Sequence, residues 1–113
     1  MNPQQLLDKE RSEFMKRTRN RKWTPEEEKE YAELACRSMM ISFFAYHGIP
    51  TIRNEESWFF QQYLQRYVKE LGRKRFDEVR DRMIKSFEGA TVKCGIYTDH
   101  EGCTYNSIHW AEV

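Results

Sequence analysis

The sequence lacks a run of about eighteen apolar residues, the length that a transmembrane helix needs. Its first residues, MNPQQLLDKERSEF, are polar and charged, and they lack the apolar segment of a secretory signal peptide. The chain has three cysteines, and an odd number argues against a scaffold built on disulfides. We therefore expect a cytoplasmic protein.

Sequence motifs that are typical of enzymes are also missing. The chain contains no GxGxxG, P-loop or HExxH pattern. Nucleophilic catalysis needs a Cys or Ser beside a His base, and His100 and Cys103 form such a pair without a third group to orient it. We expect no enzymatic activity and no cofactor. An enzyme or a metal protein is the weakest of three functional hypotheses.

The chain is rich in aromatic and charged residues instead. Aromatics make up 14% of its 113 residues, enough to bury a compact core in a single domain. The net charge of +1 hides four blocks of alternating sign: residues 1–22 carry a net +4, 23–65 a net −4, 66–85 a net +4 and 86–113 a net −3. These blocks either pair internally or present separate charged surfaces to partners.

Four helices are predicted. The first covers residues 3–19 and is followed by the basic stretch KRTRNRK. The second has Thr24 and Glu27 as a capping box, is apolar almost all round in its second half, and ends at Gly48. Asn54 caps a third helix that ends at Gly72, and its apolar stripe is Phe60, Leu64, Val68 and Leu71, widened by Phe59, Tyr63 and Tyr67. A fourth helix ends at Gly89 and has a narrow apolar face of Phe76, Val79, Met83 and Phe87, with Ile84 beside it. Cys36, on the second helix, is expected in the core. We assign residues 1–22 to an N-terminal helix and basic arm, and residues 23–113 to one compact domain.

After Gly89 the pattern changes from helical to alternating, which predicts an antiparallel β-hairpin around the turn DHEG. With Gly102 in a left-handed conformation, Tyr97 pairs with Tyr105, Cys94 with Ile108 and Val92 with Trp110. This register places the apolar side chains on one face. The fold class is therefore α+β, mostly helical, with a C-terminal hairpin.

Two cysteines and two histidines in this hairpin have the spacing C-x5-H-x2-C-x5-H. In the favoured register Cys94 lies about five residues, or roughly 17 Å, from the turn that carries His100 and Cys103, and His109 faces the other side. Four ligands so placed cannot surround one zinc ion. We expect no metal site, although a smaller cluster at the turn, formed by Asp99, His100, Glu101 and Cys103, stays open.

Two basic segments are candidates for nucleic-acid binding, because clustered cations contact phosphates. They are residues 16–22 and 66–85, and the residues chosen from them are Lys16, Arg17, Arg19, Arg21, Arg73, Lys74 and Arg75. The alternative is that these cations are solvated side chains interleaved with acidic residues.

Two other groups are candidates for binding a protein partner. The outer face of the hairpin would present Tyr97, Tyr105 and His109, and aromatic surfaces of this kind are typical of interfaces. The acidic start of the second helix, with Glu26, Glu27 and Glu30, could imitate phosphates toward a basic channel. The outer hairpin face could equally pack on the N-terminal helix.

The string GIYTDHEGCTYNSIHWAEV resembles the C-termini of small uncharacterised accessory proteins of conjugative elements and prophages of Firmicutes, particularly Clostridia. The matching pattern, G-x-Y-T-D-x-E-G-x-T-Y-N-S, covers Gly95 to Ser107, with Trp110 and Ala111 after it. The resemblance implies a mobile-element protein in a host cytoplasm. It implies an inhibitor that occupies a surface of a larger defence protein, such as an anti-CRISPR protein on a Cas nuclease. A nucleic-acid-binding accessory factor is the alternative.

Overall fold

The computed structural model describes residues 2–98, 100–102 and 104–111, and within the strands it describes the side chains of Val92, His109 and Trp110. Most of these residues are helical, which confirms the mostly helical prediction. The elements in chain order are α1 Pro3–Arg17, α2 Pro25–His47, α3 Ile49–Arg53, a π-helical segment Phe60–Leu64, α4 Gln65–Leu71, α5 Arg73–Phe87, β1 Thr91–Thr98 and β2 Thr104–Ala111.

Helix α1 begins with a capping box of its own. The side chain of Asn2 accepts the N–H of Gln5, and the side chain of Gln5 accepts the N–H of Asn2. Leu7 and Phe14 of this helix are fully buried against α2. Residues 1–22 therefore contribute to the same core as the rest of the chain, and this core crosses the boundary drawn at residue 22.

Helix α2 is the centre of the fold. Its capping box is the predicted one: the Thr24 hydroxyl accepts the N–H of Glu27, and the Glu27 carboxylate accepts the N–H of Thr24. It ends as predicted at Gly48, whose φ of 82° favours glycine. It contacts α1, α3, the π-helical segment, α4, α5 and β1, so its all-round apolar second half is covered by neighbours on several sides.

The prediction that Asn54 caps the third long helix is wrong. Residues 49–53 form the additional short helix α3, with Pro50 in its first turn, where proline fits well. Asn54 ends that helix, and its side chain accepts the N–H of Glu56 in a local turn. The next helical residues start at Trp58, and the Ser57 hydroxyl accepts the N–H of Phe60 at 3.1 Å.

The π-helical segment changes the phase of this helix. A π-turn closes its hydrogen bonds one residue further along than an α-turn, so the side chains that follow are rotated relative to an α-helical pattern. Phe60 and Leu64 are fully buried as the apolar stripe predicts, but Tyr63 is 41% exposed. The aromatic side of the helix thus divides between core and surface.

The core is formed where α2, the π-helical segment, α4 and α5 meet. Phe60 packs edge-on against Phe76 of α5 with ring centroids 5.8 Å apart. The predicted narrow face of the last helix is buried, at Phe76, Val79, Met83, Ile84 and Phe87. Cys36 is fully buried as expected for a core residue, and burial raises the pKa of its thiol to about 12.

Strands β1 and β2 pair antiparallel in the register that apolar pairing favours, with Tyr97 opposite Tyr105 and Val92 opposite Trp110. Gly102, in the turn, has a φ of 85°. The α+β class depends on this hairpin as a stable element and stays a prediction. An aromatic stack is one contact that joins the hairpin to the helices: the Trp110 ring lies 6.0 Å from Phe44 and 6.5 Å from Phe87, ring centroid to ring centroid. The rings of Phe44 and Phe87 lie 4.2 Å apart.

We predict that Trp110→Ala lowers the free energy of unfolding by about 2 kcal/mol, less than a fully buried tryptophan would cost. Trp110→Phe should cost much less. It keeps a ring on Phe44 and Phe87, and it removes an indole N–H that is buried and finds no acceptor among the described residues. Urea unfolding of both variants is the measurement. Equal stability of the alanine variant and the natural protein would mean that the hairpin does not dock on the helices.

Candidate functional site

Ion pairs connect the first two charge blocks of the sequence, residues 1–22 and 23–65. Arg17 pairs with Glu30 at 2.6 Å, and Arg21 holds the carboxylate of Glu27 with both terminal nitrogens. These pairs form because the link 18–24 folds the basic arm back against the first turn of α2. Of the three predicted partner-binding glutamates, only Glu26 has no cation beside it among the described residues.

Glu27 serves the fold in two ways at once. It caps α2 and accepts a two-pronged hydrogen bond from Arg21, and its side chain is 11% exposed. The Arg21 guanidinium, followed by the Thr24 N–H, lowers the pKa of this carboxyl from 4.5 to about 2. Because Arg21 and the backbone of Thr24 already bind its carboxylate, Glu27 is a weak candidate for imitating a phosphate toward a partner.

The second basic segment is also paired internally. Arg73 holds Glu55 with both terminal nitrogens, at 2.7 and 2.5 Å, and Arg75 binds Glu33 at 2.5 Å across to α2. Arg80 adds a second cation at Glu55. Arg73 first, and then Arg80, lower the pKa of Glu55 to about 2. Of the three predicted residues in this segment, Lys74 alone has no carboxylate partner in the described part of the chain.

The basic arm also surrounds a cavity of about 510 Å³ between the end of α1 and the link that precedes α2. Lys16, Arg19 and Arg21 line it together with the apolar side chains of Met15 and Trp23. No acidic side chain is among the described residues that line it. Lys16 and Arg19 have no carboxylate partner among the described residues. These two predicted nucleic-acid-binding cations can therefore bind an anion.

The predicted hairpin surface is described only in part. The backbone places Tyr97 opposite Tyr105, and His109 is exposed. The side chains of Tyr97, Tyr105 and Cys94, and the turn residues Asp99 and Cys103, lie outside the described residues. Within 2–98, 100–102 and 104–111, no group of three His, Cys, Asp or Glu side chains is placed to hold a metal ion.

A surface that the sequence reasoning missed lies where α2 ends. We call it the aromatic surface: His47, Trp58, Phe59 and Tyr63. The His47 ring lies 4.4 Å from Phe59, and Trp58 lies 5.2 Å from Phe59 and 6.0 Å from Tyr63, centroid to centroid. Trp58 is 62% exposed, the highest value among the large hydrophobic side chains described.

The aromatic surface is built on a firm base. Phe43 of α2, which is nearly buried, lies edge-on beneath both Phe59 and Tyr63, at 6.1 and 5.7 Å. Trp58 forms edge-to-face pairs with Phe59 and Tyr63, and such pairs are favourable, so these rings hold its side chain in place. A signal was present in the sequence: Trp58 falls outside the stripe formed by Phe60, Leu64 and Leu71. The π-turn that exposes Tyr63 left no such signal.

No protein-family model, no curated protein and no solved structure matches this chain. None of the described helices is both long and apolar enough to cross a membrane. The geometry of the described surfaces therefore carries the functional argument.

We predict that Glu27→Gln lowers the stability at pH 7, because the amide keeps the cap but loses the charge that Arg21 binds. Glu27 has a folded-state pKa below its unfolded value, so its contribution is complete above about pH 4.5 and is lost as the pH falls toward 2. The difference between the variant and the natural protein should shrink over that range. Thermal unfolding from pH 7 to pH 2 measures it.

Glu26→Gln is the matched control, because Glu26 is exposed on the same helical turn. It removes the same charge from the helix N-terminus without breaking an ion pair. A loss of stability equal to that of Glu27→Gln would show that the helix dipole, and not Arg21, carries the effect.

Proposed function

We propose that this chain is a small non-enzymatic binding protein that acts by occupying a surface of a larger protein, and that the aromatic surface is its contact area. The supporting observation is Trp58, a large aromatic side chain left 62% exposed on a base of packed rings. Trp and Tyr dominate the energy of protein interfaces because they bury much area with few rotatable bonds. Two of the four members of this surface are of these types.

The internal ion pairs support the same proposal. A protein that used its charge blocks to bind nucleic acid or to imitate it would leave those charges open to solvent. Here Arg17, Arg21, Arg73 and Arg75 are bound to carboxylates of the chain itself. Net charge near zero and a supported aromatic patch are more typical of protein binding than of phosphate binding.

The resemblance of Gly95 to Ser107 to mobile-element accessory proteins supplies the biological setting of the proposal. In that setting the partner is a defence protein of the host cytoplasm. The most specific form of the proposal is that this chain blocks a Cas nuclease in the manner of an anti-CRISPR protein. The α+β class is part of the proposal: the hairpin docks through Trp110 and presents Tyr97, Tyr105 and His109 as a second contact area.

We predict that Trp58→Ala with Tyr63→Ala weakens capture of the partner by at least about thirtyfold, since one interface hot spot contributes roughly 2 kcal/mol. The measurement is affinity capture on purified Cas nucleases and on host extract, with and without nuclease treatment. Both substitutions replace exposed residues, and circular dichroism verifies the fold.

Leu6→Ala with Met15→Ala is the matched control, because these side chains are 39% and 44% exposed and lie on α1, away from the aromatic surface. It should retain full capture. Equal loss in both double variants, or full capture by the Trp58 and Tyr63 variant, would contradict the proposed contact area. Capture that disappears after nuclease treatment would favour the second candidate.

The second candidate is a nucleic-acid-binding accessory factor, and the cavity lined by Lys16, Arg19 and Arg21 favours it. If it holds, Lys16→Gln with Arg19→Gln should weaken DNA or RNA binding and reduce the slope of log K against log salt by about 0.7 to 0.9 for each phosphate that the variant no longer neutralises. Gel shift at several salt concentrations is the measurement. The charge-matched control is Lys9→Gln with Lys29→Gln, two exposed lysines outside both basic segments. No shift of any nucleic acid at low salt would remove this candidate.

A further inference from the structure

A second cavity, separate from the aromatic surface, lies between the start of α1 and the second half of α5. Its volume is about 310 Å³, at the lower end of the range for small-molecule sites. Arg37, Arg82 and Lys85 supply the charged part of its lining, and Pro3, Leu6 and Met83 supply the apolar part. Among the described residues that line it, none is acidic.

Arg37 is the unusual member of this set. Its side chain is only 7% exposed, which is rare for a cation, and one terminal nitrogen is paired with Glu10 of α1. Its Nε is buried and has no hydrogen-bond acceptor among the described residues. A buried guanidinium with an unused N–H is costly, because water has been removed and no acceptor replaces it.

The edge of the guanidinium that contains Nε would suit an oxyanion, which would have to displace the atoms that now cover Nε. Arginine presents its N–H groups as a planar fork that matches the two oxygens of a carboxylate or phosphate. Glu10 takes a nitrogen on the other side of the fork. Arg82 and Lys85 lie at the same cavity and have no carboxylate partner in the described part of the chain. The N-terminus of α1, which begins at Pro3, adds partial positive charge.

We propose that this cavity binds a small amphiphilic oxyanion, a carboxylate or phosphate group joined to a short apolar segment. The anionic group is held by Arg37, Arg82 and Lys85, and the apolar segment lies on Pro3, Leu6 and Met83. The site is independent of the proposed protein-binding surface, since it shares no residue with it. Two features carry the proposal: the unused Nε of a buried arginine, and a lining in which the described charges are all positive. The positive charge belongs to this cavity and not to the surface around it, because the same cations also line neighbouring cavities with acidic side chains: Arg37 and Arg82 with Glu10, Glu13, Glu30 and Glu33, and Lys85 with Asp81 and Glu88.

The test is a nuclear magnetic resonance titration of the full chain with hexanoate and with hexyl phosphate. Hexanol and inorganic phosphate are the matched probes that lack the anionic or the apolar half. Both complete probes should bind more tightly than either half, and they should move the Nε–H resonance of Arg37, assigned by its loss in Arg37→Lys. The tighter of the two complete probes identifies whether the natural ligand carries a carboxylate or a phosphate.

Arg82→Gln and Lys85→Gln should each weaken hexanoate or hexyl phosphate about tenfold, the usual size of one charge-assisted contact. Both side chains are exposed, so the variants should keep the fold, and Lys69→Gln on α4 is the charge-matched control. The proposal is overturned if hexanol binds as well as hexanoate, if the Lys69 variant weakens binding as much as the Arg82 variant, or if no probe moves the Arg37 resonance.

Discussion

The burial of the second half of α2 is the constraint on which the rest of the structure depends. Met40 and Ile41 are fully buried and Phe43 is nearly so, while Met39 and Phe44 pack against the same core from other sides of the helix. A helix segment this apolar must be covered on most of its sides, so the remaining elements pack around it. Helices α1, α4 and α5 each do so with a single apolar stripe, which explains why none of them needs to be very hydrophobic.

Charge follows from this arrangement. Ion pairs join neighbouring elements at their polar sides: Arg17 of α1 with Glu30 of α2, Arg75 of α5 with Glu33 of α2, and Arg73 of α5 with Glu55 in the turn after α3. The alternating charge blocks in the sequence therefore reflect which helices are adjacent in the fold more than they reflect the charge of a partner. Exposed pairs of this kind contribute little to stability one by one.

Sequence reasoning succeeded where a local rule decides the outcome. The Thr24–Glu27 cap, the end of α2 at Gly48 and the buried face of α5 each depend on a few neighbouring residues, and each is found in the structure. It failed at Asn54, because two residues three apart, Asn54 and Ser57, are both good caps and only the packing of α3 selects between them. The aromatic surface was missed for a related reason, since an α-helical period assigns Tyr63 to the core. Charge pairing was left open because it requires the positions of whole helices.

The π-helical segment Phe60–Leu64 has a consequence for how this surface could change over time. A π-turn is an α-helix that has accommodated one extra residue, so its presence sets the angular position of Trp58 and Tyr63 relative to Leu64, Tyr67 and Leu71. Loss of a single residue there would turn Trp58, Phe59 and Phe60 by about 100° around the helix relative to Leu71. Because Phe60 is fully buried and Trp58 is exposed, such a change would disturb the core and the aromatic surface together, so both depend on the length of this one segment.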